Sequence, residues 1–118
     1  MEESAGLEQT PRVVHQRAGF SLVAYLSYKD KQSPDERFAK FLKVVERESD
    51  DDRHFVKKAV NWALRNIGKR NLKLNREAIR VAEKLRKRES RAARWIAADA
   101  LRELRSEAVQ RRLRQKSL

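Results

Sequence analysis

The stretch Phe55-Val56-Lys57-Lys58-Ala59-Val60-Asn61-Trp62-Ala63-Leu64-Arg65, continued by Ile67, Gly68 and Lys69, decides the fold. At about 100° per residue, Val56, Val60, Ala63, Leu64 and Ile67 gather on one side of a helix. Lys58, Trp62, Arg65 and Lys69 gather on the other. One face is aliphatic and fit for a core. The opposite face carries cations around a tryptophan. The same periodicity recurs along the chain, and no segment alternates with period two, so the chain reads as all-α without strands.

Start signals divide the sequence into six helices. The first starts at Thr10 and Pro11 and runs to about Tyr28. The second starts at Ser33 and Pro34, with Asp35 and Glu36 in its first turn and Phe38, Phe41, Leu42 and Val45 as its apolar stripe. The third follows the acidic run Asp50-Asp51-Asp52, which suits a helix N-terminus, and ends near Gly68, read as the residue just past the helix. The fourth follows Asn75, with Ala78, Ile79, Ala82 and Leu85 on one side. The fifth follows Ser90 and the sixth follows Ser106. Residues 1–10 are expected to be a flexible segment, 11–114 the folded domain and 115–118 a basic tail.

The helices pair. Arg17-Ala18 aligns with Lys58-Ala59, 41 positions on, and Ala63-Leu64-Arg65 aligns with Ala100-Leu101-Arg102, 37 positions on. Two-helix units near 40 residues have the HEAT/armadillo period. The expectation is a HEAT-like α-solenoid of three antiparallel pairs; an ordinary helical bundle would satisfy the same patterns. In the first helix, Ala18, Gly19, Leu22, Val23 and Leu26 make the apolar face, with Phe20 and Tyr25 on its flanks. In the fifth, Trp95, Asp99 and Arg102 occupy the positions of Lys58, Trp62 and Arg65. Equivalent helices of a solenoid line one surface, so Arg17, Tyr28, Lys58, Trp62, Arg65, Lys69, Trp95 and Arg102 should share a face.

Charge points to the partner. The net charge is +12. Residues 1–56 carry nine Lys/Arg against eleven Asp/Glu, a balance of −2, while residues 57–118 carry twenty against six, a balance of +14. Such a basic half is the footprint of a polyanion binder. Cations hold phosphates and aromatic rings meet sugar or base, which makes double-stranded DNA the expected partner and Arg17, Lys58, Trp62, Arg65, Lys69 and Arg102 the expected contacts. With no Cys and only His15 and His54, neither a thiolate nor a metal site is expected. No Gly-rich phosphate loop implies a nucleotide cofactor. Asp50 to Asp52 reads as a helix start rather than a Ca²⁺ site. No run has the apolar length of a membrane span, and a cytoplasmic location is expected.

His15-Gln16-Arg17-Ala18-Gly19-Phe20, the string from Phe55 to Arg65, Gly68-Lys69-Arg70-Asn71, and Ala93-Arg94-Trp95-Ile96-Ala97-Ala98-Asp99-Ala100-Leu101-Arg102-Glu103-Leu104 together resemble the AlkD-like DNA alkylation repair glycosylases, over about residues 12–113. That resemblance implies a HEAT-like solenoid with a basic DNA-binding surface and excision of cationic N3- or N7-alkylated purines. It implies that Arg17 contacts the DNA backbone near the lesion and that Trp62 packs against the lesioned nucleotide. The family's catalytic Asp lies in a Trp-Asp helix upstream of the Arg helix, and this chain begins where that helix should end. Trp95 and Asp99 have the right spacing but lie in the wrong repeat, so they read as a chance match and no catalytic residue is assigned. Glycosidic cleavage develops positive charge on the sugar that a carboxylate stabilises. The expectation is a DNA-binding half-enzyme, with a non-enzymatic adaptor for protein or RNA as the alternative. An uncovered N-terminal side further leads to the expectation of a two-fold homodimer through the first two helices, with Phe20 in the contact.

Overall fold

A computed structural model describes Gly19, Phe20, Leu22, Val23 and residues 34–51 and 53–116. Gly19, Phe20, Leu22 and Val23 are helical. Five helices follow: α1 (Asp35–Glu48), α2 (His54–Gly68), α3 (Leu72–Arg86), α4 (Arg91–Leu104) and α5 (Glu107–Lys116). Among the described residues there is no strand. The fold is all-α, as the periodicity dictates. The first expected helix lies mostly outside the described residues. The last runs through Gln115 and Lys116, into the expected tail.

Tight connections fold successive helices back on one another. Asn71 starts α3, its Oδ1 accepting from the Leu74 amide at 2.8 Å, and Ser90 starts α4, its Oγ accepting from the Ala93 amide at 3.1 Å. Each cap satisfies an amide that the helix cannot. The helices form two layers. α2 packs beside α4, α1 packs beside α3, α3 bridges α2 and α4, and α5 closes on α4. This is the side-by-side stacking of equivalent helices that the 37-residue offset anticipates. Between the layers lie Val60, Leu64, Ile67, Leu74, Leu85, Ile96 and Leu104, all fully buried. Truncating one of these leucines to Ala would cost about 2–5 kcal/mol. Ala93, Ala97 and Ala100 are also buried, giving α4 a slim inner side that its neighbours can approach closely.

Three sequence expectations change. Asn75 does not start the fourth helix; it lies inside α3 and is buried. Its Nδ2 donates to the Gly68 carbonyl at 2.9 Å and the Leu104 carbonyl at 3.4 Å, and its Oδ1 accepts from Gln110 Nε2 at 3.1 Å. An asparagine has the donors and acceptor for this junction of four helices. Gly68 is not a left-handed residue past the helix end, since no glycine described has positive φ. It is the last residue of α2, and a Cβ there would sit 2.6 Å from Leu104 Cδ2 and 3.0 Å from Ala78 Cβ. Close helix approach, not chain reversal, requires the glycine. α2 begins just after the acidic run, as the sequence suggests, but its N-cap is Arg53, without a side-chain bond. Asp51 instead accepts from the Arg53 amide at 3.0 Å and Arg53 Nε at 2.9 Å.

The third change concerns the first helix. Phe20 is buried and meets Phe41 edge-to-face at 5.7 Å between centroids, whereas Gly19 and Leu22 are exposed, Leu22 by 57%. The segment is turned so that Phe20 and Val23, one turn apart, face the core. Phe20 therefore packs inside the protomer and is not an exposed contact for a second copy.

Candidate nucleic-acid interface

The seam between α2 and α4 carries most of the expected contacts. Trp62 and Trp95 stand open to solvent on this layer, each 41% exposed. Their helices bury Val56, Val60, Ala63, Leu64 and Ile67 on one side and Ala93, Ile96, Ala97 and Ala100 on the other, so both indoles are turned outward by the packing. Lys57 reaches across the seam, with Nζ 5.1 Å from the Trp95 ring centroid. Lys58 is exposed and makes no ion pair or hydrogen bond with the described residues. Arg91 and Arg94, on the outer side of α4 near Trp95, are likewise exposed without a partner among the described residues. Sequence reasoning passed over Lys57, Arg91 and Arg94 because it compared only the positions equivalent to Lys58, Trp62 and Arg65.

Three other expected contacts are engaged within the protein. Arg65 Nη1 donates to Glu103 Oε1 at 3.0 Å, and its Nε lies 3.7 Å from Asp99 Oδ2. Lys69 Nζ donates to Glu103 Oε2 at 2.7 Å. Arg102 Nη1 donates to Asp99 Oδ1 at 3.0 Å, one turn away on α4. Asn61, buried between the helices, donates its Nδ2 to Asp99 Oδ2 at 2.7 Å. Asp99 and Glu103 thus zip α4 to α2. The signal was present in the sequence: Arg65 and Lys69 are spaced i,i+4, as are Asp99 and Glu103, and the repeat offset sets the two pairs side by side.

The carboxylates are held as anions. At Asp99 the Asn61 hydrogen bond, followed by the charges of Arg65 and Arg102, outweighs partial burial and keeps the pKa below its usual value. At Glu103 burial pushes the pKa up, but the bond and charge of Lys69, joined by Arg65, outweigh it and the net shift is downward. Ionised and bonded to Asn61 and Arg102, Asp99 ties α4 to α2. Arg17 and Tyr28 lie outside the described residues. Among the described residues no cluster of three His, Asp or Glu side chains could hold a metal ion, and no helix is long and apolar enough to cross a membrane.

A family model described as DNA alkylation repair enzyme matches residues 7–104, which takes in α1 through α4. The chain belongs to the DNA alkylation repair enzyme family. No curated protein and no solved structure matches it. Both tryptophans and the whole Arg65–Lys69–Asp99–Glu103 zipper fall inside the matched region, whereas α5 lies beyond it.

Proposed function

We propose that this chain binds duplex DNA in alkylation repair, through the outer face of α2 and α4. The reading is carried by two half-exposed indoles set among cations on one surface. Exposed tryptophans are uncommon without a partner to cover them. Here Lys58, Arg91 and Arg94 are available to phosphates, and Trp62 and Trp95 to a sugar, a base face or an alkylated, cationic base. Arg17 joins them by its repeat register with Lys58. Membership of the family supports DNA as the polyanion. Asp99 and Glu103, the carboxylates of this face among the described residues, are neutralised by their own arginines and lysine, which favours holding DNA over cleaving a glycosidic bond.

The test is fluorescence anisotropy with a short duplex, with and without one 7-methylguanine. Binding should weaken with salt, with a log–log slope of about −4 for some five phosphate contacts. Lys58→Ala should flatten it by about one unit, and Trp62→Ala should remove any preference for the alkylated duplex. A slope near zero, or an equal affinity for a folded RNA of the same length, would point to an adaptor instead.

A further inference from the structure

The opposite layer carries a second basic surface. Leu74, Asn75, Ala78, Val81, Ala82 and Leu85 are buried and fix the inner side of α3. Diametrically opposite, at i, i+3, i+7, i+11 and i+14, stand Lys73, Arg76, Arg80, Lys84 and Lys87, every one exposed. Glu77, one turn from both Lys73 and Arg80, borders this row. Lys84 Nζ lies 3.8 Å from Glu46 of α1; the other four side chains make no ion pair or hydrogen bond with the described residues. At 1.5 Å per residue the row is about 21 Å long. That matches about six phosphates of one DNA strand, at 3.4 Å of axis per charge.

We infer that the outer face of α3 is a second duplex-contacting surface, so that one molecule holds two segments of DNA. The inference rests on DNA as the ligand of the Trp62–Trp95 face. That face and the α3 row lie on opposite sides of a two-layer protein. A short duplex is stiff, with a persistence length of about 150 base pairs, so it cannot wrap from one to the other. Simple solvation explains scattered surface lysines. It does not explain five cations in one row, flanked by Glu77 on one side and on the other by Glu83, which pairs with Arg86 and Arg105.

The experiment mixes two duplexes of about 14 base pairs, one labelled with an energy-transfer donor and one with an acceptor, with the full chain. Wild type should bring the labels together. K73Q/R76Q/R80Q/K87Q removes four charges that pair with none of the described residues, so its circular dichroism and melting should stay unchanged. It should still bind one duplex, lose most of the energy transfer, and flatten the salt slope by about three units. The milder K73Q/R80Q should lose about half as much slope, which covers the case in which the fourfold variant folds poorly. Unchanged energy transfer and slope in both variants overturn the inference while leaving the Trp62–Trp95 face standing. Lys58→Ala losing nothing while the α3 variants lose everything would instead overturn the first reading and keep the second surface.

Discussion

Two rows of cations of similar length run along the two layers, and they have opposite fates. On α2, Arg65 and Lys69 are bonded to Glu103 at 3.0 and 2.7 Å and share the α4 surface with Asp99. On α3, Lys73, Arg76 and Arg80 are exposed and pair with none of the described residues. Both rows lie on helices of 15 residues. What differs is the neighbour: α2 lies against α4, whose Asp99 and Glu103 are spaced to meet it, whereas among the described residues the row on α3 meets another helix only through Lys84, 3.8 Å from Glu46 of α1. Net charge therefore does not measure binding charge. Part of the +14 of residues 57–118 is consumed in joining repeats, and the free remainder lies on the outer sides of both layers.

The largest effect should come from removing the zipper's acids. D99N/E103Q releases Arg65, Lys69 and Arg102, so the salt slope for duplex binding should steepen by about two to three units. An unchanged slope would mean that these cations cannot reach phosphate even when free. Next in size, Arg65→Ala removes a donor to Glu103 and the positive charge 3.7 Å from Asp99. It should lower unfolding stability by about 1–2 kcal/mol, discounted for partial exposure, as read from urea midpoints. The effect of pH should be smaller. Both carboxylates have folded pKa values below their ordinary 3.8 and 4.5. Their stabilisation is complete above the unfolded values and is lost as pH falls through the folded ones. The urea midpoint should therefore drop below about pH 4.5 in wild type, and drop less in D99N/E103Q. The smallest effect belongs to the other row: Arg80→Ala should change stability by no more than about 0.5 kcal/mol. A larger loss would mean that the row is structural after all and erase the contrast.

Local periodicity carried most of the fold. The aliphatic side of residues 55–67 and the stripe of Phe38, Leu42 and Val45 are where the spacing put them, because each follows from one helix considered alone. Side-by-side stacking of α2 and α4 was legible from the 37-residue offset. The errors arose where a second element intervenes. Asn75 and Gly68 have the residue types of a cap and a chain reversal, and only the proximity of Leu104 and Gln110 gives them other work. Phe20 was put on a flank because a short segment with several apolar residues admits two orientations, and its contact with Phe41 selects one. Trp62 and Trp95 were readable as outward-facing. Arg65 and Lys69 come opposite Asp99 and Glu103 only when the 37-residue register is applied to their i,i+4 spacings, and Arg102 meets Asp99 one turn away on its own helix.

The Asn75 junction has a consequence for how the chain comes apart. In a repeat array whose units touch only their neighbours, the ends fray first and unfolding proceeds stepwise. Here one buried amide ties the last turn of α2 to that of α4, and its oxygen holds Gln110 of α5. Gln110 in turn donates to the same Leu104 carbonyl at 2.7 Å. Releasing α5 would strip partners from both a buried oxygen and a helix-end carbonyl in the interior. The C-terminal helix should thus open together with α3 and α4 as one cooperative unit, and its slowest amides should exchange with deuterium at the rate of theirs.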